Sequence, residues 1–177
     1  MNILALSGSL RAASTNTSLL RALAALAEPP VQVTLFAGLA DLPLFSPDRE
    51  GDQTPAPVLA FAAAVRAADG LVVACPEYVH ALPGAFKNAI DWLVSRDEII
   101  DMPIALLHAS HRGDDVLTDL RRVLGTVSTR FTPDIFARFT LNKRTSDEIA
   151  AHFRNAGPAS ELQAFLNRFA AFIATPE

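Results

Sequence analysis

Ser9, Arg11, Ser14, Thr15 and Asn16 fall in one short stretch, Gly8-Ser9-Leu10-Arg11-Ala12-Ala13-Ser14-Thr15-Asn16, between an apolar run ending at Ser7 and a helical pattern. Hydroxyls, an amide and a guanidinium at a helix N-terminus suit an anion, because unpaired backbone N–H groups and the positive end of the helix dipole favour a phosphate there. Ser9, Ser14 and Asn16 are the expected donors, and Arg11 either adds charge to that site or projects towards a second, transient phosphate. The same residues also suit an ordinary helix cap beside a surface arginine, and the stretch alone does not separate the two readings. Two better-known phosphate loops are excluded. Gly8 is followed by no glycine at the spacing of a dinucleotide fingerprint, and no Gly-Lys-Ser/Thr occurs. The next strand ends in Phe36-Ala37, without the acid that would hold an adenine ribose, so the argument turns to a mononucleotide such as FMN.

The second chemically marked segment follows Cys75 directly and runs Pro76-Glu77-Tyr78-Val79-His80-Ala81-Leu82-Pro83-Gly84-Ala85-Phe86-Lys87-Asn88-Ala89-Ile90-Asp91-Trp92-Leu93. Pro76, Pro83 and Gly84 are expected to fix the path of this loop, so that its N–H groups meet the carbonyl and nitrogen edge of a flavin while Tyr78 supplies aromatic surface. Glu77 serves equally as a solvated carboxylate, and its backbone N–H matters more than its charge. Cys75 reads as a small buried residue. Phe86 and Trp92, at helical spacing, read as core or subunit interface.

The elements that must position these loops alternate in length along the chain, which is the mark of a parallel sheet covered by helices. Met1 to Ser7, Val31 to Phe36, Gly70 to Cys75, Pro103 to Ala109 and roughly Ile135 to Leu141 read as strands. Asn16 to Ala27, Val58 to Ala68, Ala85 to Ser95 and Val116 to Leu124 read as helices by their three- and four-residue apolar spacing. Thr145 with Glu148 makes a capping box for a short helix to Asn155. Pro158 suits the first turn of a last helix in which Leu162, Phe165, Leu166, Phe169 and Ile173 share a face. The expectation is a single α/β domain over residues 1–177, a three-layer sandwich around a five-stranded parallel sheet of order 2-1-3-4-5. In such a sheet ligands bind outside the carboxyl ends of strands one and three, where both marked loops converge. The Pro-rich stretch from Asp41 to Pro57 reads as a loop over that edge.

With both segments in hand, the chain closely resembles the NADPH-dependent FMN reductase family, flavodoxin-like proteins whose members also reduce quinones, azo dyes or chromate. The marks are Gly8-Ser9-Leu10-Arg11 with Ser14 and Asn16, and Pro76-Glu77-Tyr78 with Pro83 to Leu93. A weaker echo is Leu42-Pro43-Leu44-Phe45 with Pro47-Asp48. The resemblance implies FMN as cofactor and NADPH or NADH as co-substrate. It places Ser9, Arg11, Ser14 and Asn16, with Thr15 between them, around the FMN phosphate, and Pro76, Glu77 and Tyr78 along the flavin ring. It also implies pockets near a dimer interface, with His80 and the helix from Lys87 to Trp92 close to the partner subunit. After strand four the family usually has a Gly-rich turn. This chain has Ser110-His111-Arg112-Gly113-Asp114-Asp115 instead, so Ser110 and His111 are expected to approach the flavin from a bulkier loop.

The remaining features bound the function. A formal charge of -4 over 177 residues, with no run of Lys or Arg, gives no electrostatic footprint for nucleic acid or an anionic membrane. No stretch approaches the roughly 20 apolar residues needed to span a bilayer, and no basic segment precedes the first apolar run. With a lone Cys75, these features point to a cytoplasmic protein. His108, His111, His152 and Cys75 lack metal-ligand spacing, so no metal is expected. His80 and His111 are candidate acid–base groups, yet hydride transfer through a flavin needs no obligatory side-chain acid, so no catalytic side chain is assigned. Phe86, Ile90, Trp92 and Leu93 offer more apolar surface than one sheet face needs, which points to a homodimer or homotetramer. The expected activity is reduction of bound FMN by NADPH or NADH, with electrons passed to a small-molecule acceptor such as flavin, a quinone, an azo compound or a metal oxyanion. A flavodoxin-like electron carrier and a non-catalytic FMN-binding module are the alternatives.

Overall fold

Alternation along each strand sorts the apolar residues into two sets, and the chain covers each set with its own helices. A computed structural model describes residues 1–175; the expected domain also includes residues 176–177, which lie outside the described residues. The strands are β1 (Asn2–Ser7), β2 (Gln32–Leu35), β3 (Gly70–Ala74), β4 (Ile104–His108) and β5 (Phe131–Arg138). The helices are α1 (Thr15–Leu26), α2 (Ala56–Arg66), α3 (Gly84–Asp91), α4 (Asp114–Val127), α5 (Ser146–His152) and α6 (Ala156–Ala174). All strand pairs are parallel, in the order β2-β1-β3-β4-β5. Leu4, Leu6, Leu71, Val73, Ile104 and Leu106 face α2, α3 and α4, whereas Ile3, Ala5, Val72, Ala74, Ala105 and Leu107 face α1, α5 and α6. The result is the flavodoxin-like sandwich that the alternation predicts.

Both ends of the chain's local code hold. Thr145 Oγ1 accepts from the Glu148 N–H at 3.2 Å, and the Glu148 carboxylate accepts from the Thr145 N–H at 2.7 Å, closing the capping box at α5. In α6, Leu162, Phe165, Leu166 and Phe169 are buried against the sheet, with Ile173 partly buried beside them.

β5 departs from the expected boundaries. It starts at Phe131, and its register against β4 jumps from Ile104 opposite Phe131 to Leu106 opposite Phe136. The extra residues include Pro133, which donates no ladder hydrogen bond and is tolerated because β5 is an edge strand. That irregularity breaks the apolar alternation, which is why the sequence pattern starts the strand late. Pairing also continues past Arg138, with the Phe139 N–H donating to the His108 carbonyl oxygen at 2.8 Å.

Candidate functional site

The loops after β1 and β3 leave adjacent strands and touch at once. The Gly8 N–H donates to the Ala74 carbonyl oxygen at 2.9 Å, and a Cβ placed on Gly8 would stand 2.3 Å from Cys75 Sγ. Only glycine allows so close an approach. Cys75 is fully buried, and burial pushes its thiol pKa far above the ordinary range, so it serves as packing.

In the first loop, Ser14 is the N-cap of α1. Its Oγ accepts from the Thr17 N–H at 3.3 Å, and its carbonyl accepts from the Ser18 N–H at 2.9 Å. The Thr15 and Asn16 N–H groups find no protein acceptor among the described residues, so the first turn keeps two donors for an anion. Ser9 Oγ accepts from the Arg11 N–H at 3.3 Å, and the Arg11 guanidinium folds back onto the Ala13 carbonyl oxygen at 2.5 Å. Arg11 is exposed and makes no ion pair among the described residues. Ser14 therefore caps the helix in the ordinary way while its neighbours keep donors free, and both readings of this stretch hold together.

After β3 the chain makes a two-residue hairpin. Tyr78 and Ala81 exchange two backbone hydrogen bonds, at 3.2 and 3.1 Å, across Val79 and His80. Val79 has φ +53 and His80 φ +58, the sign pattern of a type I′ turn, which is strained for a β-branched residue. Tyr78 is half exposed and Val79 is 95% exposed. Glu77 turns the other way: its Oε2 accepts from the Val116 N–H at 3.1 Å, satisfying a donor in the first turn of α4. His80 Nδ1 lies 2.5 Å from Asp115 Oδ2, and that contact, with the Asp115 and Glu77 charges, raises the His80 pKa. The ligand atoms of Glu77, His80 and Asp115 lie within 4.8 Å of one another, a cluster that the spacing of these residues in the sequence does not reveal.

Next, after β4, the loop is braced from inside. Ser110 Oγ accepts from the Arg112 N–H at 3.1 Å and from Asn142 Nδ2 at 3.0 Å, while Asn142 Oδ1 lies 2.9 Å from His111 Nδ1. Gly113, with φ +101, turns the chain into α4 against the His108 ring, where a Cβ would lie 2.8 Å from Nε2.

These loops enclose a cleft of about 290 Å³ at the carboxyl edge of the sheet. Of the residues assigned from sequence, Thr15, Asn16, Pro76, Glu77 and Ser110 line it, while Ser9, Arg11, Ser14, Tyr78 and His111 sit around it without lining it. His108, Arg112, Gly113 and Asn142 also line it and were not assigned. Asn142 carries no local signal, because only the register of β5 beside β4 brings it to Ser110. A larger cavity of about 520 Å³ between α1 and α5 contains none of the assigned residues. The apolar-surface argument for an oligomer needs correction. Phe86, Ile90, Trp92 and Leu93 are all buried within the protomer, and Trp92 Nε1 donates to the Pro43 carbonyl oxygen at 2.7 Å. Asn88 holds the same loop, accepting from the Phe45 N–H at 2.8 Å and donating to Pro43 at 3.0 Å.

Solved structures with this fold include the flavoenzyme NAD(P)H:(acceptor) oxidoreductase FerB from Paracoccus denitrificans, with TM-score 0.72 and 24% identity, covering 97% of this chain and 96% of that one. An NADH:FMN oxidoreductase in apo form aligns with TM-score 0.67 and 22% identity, covering 99% of this chain and 91% of the other. Among curated relatives, a quinone reductase of Escherichia coli is 39% identical over 106 residues, 59% of this chain and 55% of the relative. An NAD(P)H-dependent FMN reductase of Pseudomonas aeruginosa is 37% identical over 112 residues, 62% of this chain and 60% of the relative. The matches thus span little more than half the length of these relatives. The sequence pattern of the family described as NADPH-dependent FMN reductase covers residues 1–140, which takes in all three loops of the cleft, and the chain belongs to that family.

Proposed function

We propose that this chain is a flavin-dependent oxidoreductase that binds FMN in the cleft, draws electrons from NADPH or NADH, and delivers them to a small acceptor. Quinones, azo compounds, free flavin and metal oxyanions are the acceptor classes. The observation that carries this reading is the convergence of the loops after β1, β3 and β4 on one cleft at the sheet's switch point, with the Thr15 and Asn16 N–H donors unpaired on one side. Two buried polar atoms in the cleft, Asn16 Oδ1 and His108 Nδ1, also lack protein partners, as expected of a site built for a polar ligand.

In this reading Ser9, Ser14, Thr15 and Asn16 hold the terminal phosphate, and Arg11 swings from Ala13 to that phosphate or to the one on NADPH. Pro76, Glu77 and Tyr78 present their backbone and the Tyr78 ring to the flavin from one side, with Ser110 and His111 on the other. Bound FMN would supply the hydride chemistry, so the protein's task is to bind, orient and set the electrostatics. Glu77 remains tied to α4. A homodimer would cover the exposed Leu10, Leu44, Tyr78 and Val79, which lie on the loops at this same edge, with Leu44 83% exposed. No helix among the described residues is long and apolar enough to cross a membrane. A cytoplasmic location fits the buried free thiol of Cys75.

The test is retention of flavin after incubation with excess FMN or FAD and desalting. FMN is expected to stay bound in preference to FAD. Retention of FAD with loss of FMN would overturn the assignment of the first loop to a terminal monophosphate.

A further inference from the structure

His108 ends β4 at the floor of the cleft, 2% exposed, and the flavin reading above gives it no task. Its Nε2 bonds the Arg112 carbonyl oxygen, which can only accept, so the ring proton sits on Nε2 and Nδ1 is a bare acceptor. Burial lowers the His108 pKa, which keeps the ring neutral, and no protein donor reaches Nδ1. Asn16, 5% exposed on the first turn of α1, brings a second unpartnered acceptor, Oδ1, to the same cleft. Two buried acceptors without donors are costly unless a donating ligand enters between them.

We infer that His108 Nδ1, together with Asn16 Oδ1, accepts hydrogen bonds from the hydroxyl groups of the ribityl chain of bound FMN. The inference rests on the flavin assignment above. Position selects this part of the cofactor. Asn16 belongs to the loop assigned to the phosphate, His108 to the strand end beneath the loop assigned to the ring, and Cys75 and Pro76 line the cleft with them. The part of FMN between phosphate and ring is a run of hydroxyls, each able to donate. The flavin ring offers mainly acceptors at its edges and is the poorer match to two bare lone pairs. His108 is thus a binding residue for the polyol, while its other nitrogen braces the loop through Arg112.

The two nitrogens can be separated by substitution. Gln reaches the Nε2 position, so His108→Gln keeps the donor to Arg112 and loses the acceptor. Asn reaches only the Nδ1 position, so His108→Asn keeps an acceptor there and gives up the brace. Titrations would use FMN, riboflavin and lumiflavin, the last lacking the ribityl chain, with circular dichroism to check folding. His108→Gln is expected to weaken FMN and riboflavin by about tenfold and leave lumiflavin unchanged, with His108→Asn nearer the wild type. In the wild-type protein the His108 Nδ1 resonance in ¹⁵N NMR should move from a free to a hydrogen-bonded position with FMN and riboflavin, but not with lumiflavin. Equal losses for all three flavins in His108→Gln, no loss for any, or an Nδ1 already hydrogen-bonded before flavin is added would overturn the inference. The NMR arm decides even if neither variant folds. A wild-type protein that binds none of the three flavins overturns the flavin assignment itself, which is a distinct result.

Discussion

Gly8→Ala tests whether the contact between the first two loops is as tight as the geometry requires. The new methyl would stand 2.3 Å from Cys75 Sγ, 3.1 Å from Cys75 Cβ and 3.3 Å from its Cα. Turning the thiol away relieves only the first clash, because the other two atoms belong to the backbone and its root. Overpacking of this kind costs about 1–3 kcal/mol, and the loss of chain entropy in the unfolded state returns about 0.4–1 kcal/mol, leaving a net loss of about 1–2 kcal/mol. For a chain of this size that lowers the Tm by roughly 2–8 °C. Cys75→Ala alone removes one buried atom and costs about 1 kcal/mol. The double variant should be little worse than Cys75→Ala, so a double-mutant cycle read by urea unfolding should show coupling of at least about 1 kcal/mol. FMN affinity should fall in Gly8→Ala and recover in the double variant. Additive losses within about 0.5 kcal/mol would refute the argument that Gly8 is fixed by Cys75.

Val79→Asn should stabilise the fold by about 1 kcal/mol, seen as a higher urea midpoint, because Asn accepts the left-handed conformation and the Val79 side chain packs on almost nothing. The His80 resonance should titrate above the ordinary histidine value, chiefly through its hydrogen bond to Asp115 and then the Asp115 and Glu77 charges, and Asp115→Asn should bring it down. A raised folded pKa means that this contact stabilises the fold fully below the unfolded value near 6.5 and loses its effect as pH rises through the folded value. His108 works the other way: its lowered folded pKa removes stability as pH falls through that unfolded value, so His108→Leu should flatten the acid side of a Tm-versus-pH curve. Arg11→Ala should weaken FMN or NADPH by about ten- to a hundredfold in titrations without changing the Tm, since the side chain bonds only its own loop.

The sheet order, the helix faces and the capping box were legible because each follows from periodicity or a local residue pair. Loop chemistry was legible where a residue acts close to its own place in the chain: Ser14, Thr15 and Asn16 mark the start of α1 whatever the rest of the fold does. It was not legible where the partner lies far along the sequence. Gly84 looked like the glycine that the second loop could not spare, yet a Cβ there meets nothing within 4 Å, while Gly8 is held by a residue 67 positions away. Glu77 looked like a ring neighbour, and its carboxylate instead caps α4 at Val116. Trp92 and Asn88 looked available to a partner, and both clamp the loop at Pro43. His108 gave no signal at all, because its burial and its lone Nδ1 arise only when β4, Arg112 and Gly113 come together.

The central claim is that NADPH or NADH reduces flavin held in this cleft with the protein's backbone and binding groups, and with no side-chain acid, as its contribution. Stopped-flow absorbance tests it most directly: FMN-loaded protein is mixed anaerobically with NADPH or NADH, and the flavin band is followed before and after a quinone is added. The account predicts rapid bleaching that saturates with nucleotide concentration and returns on adding the quinone. Bound FMN that stays oxidised with both nucleotides would contradict it and leave a carrier or a flavin-holding module in its place.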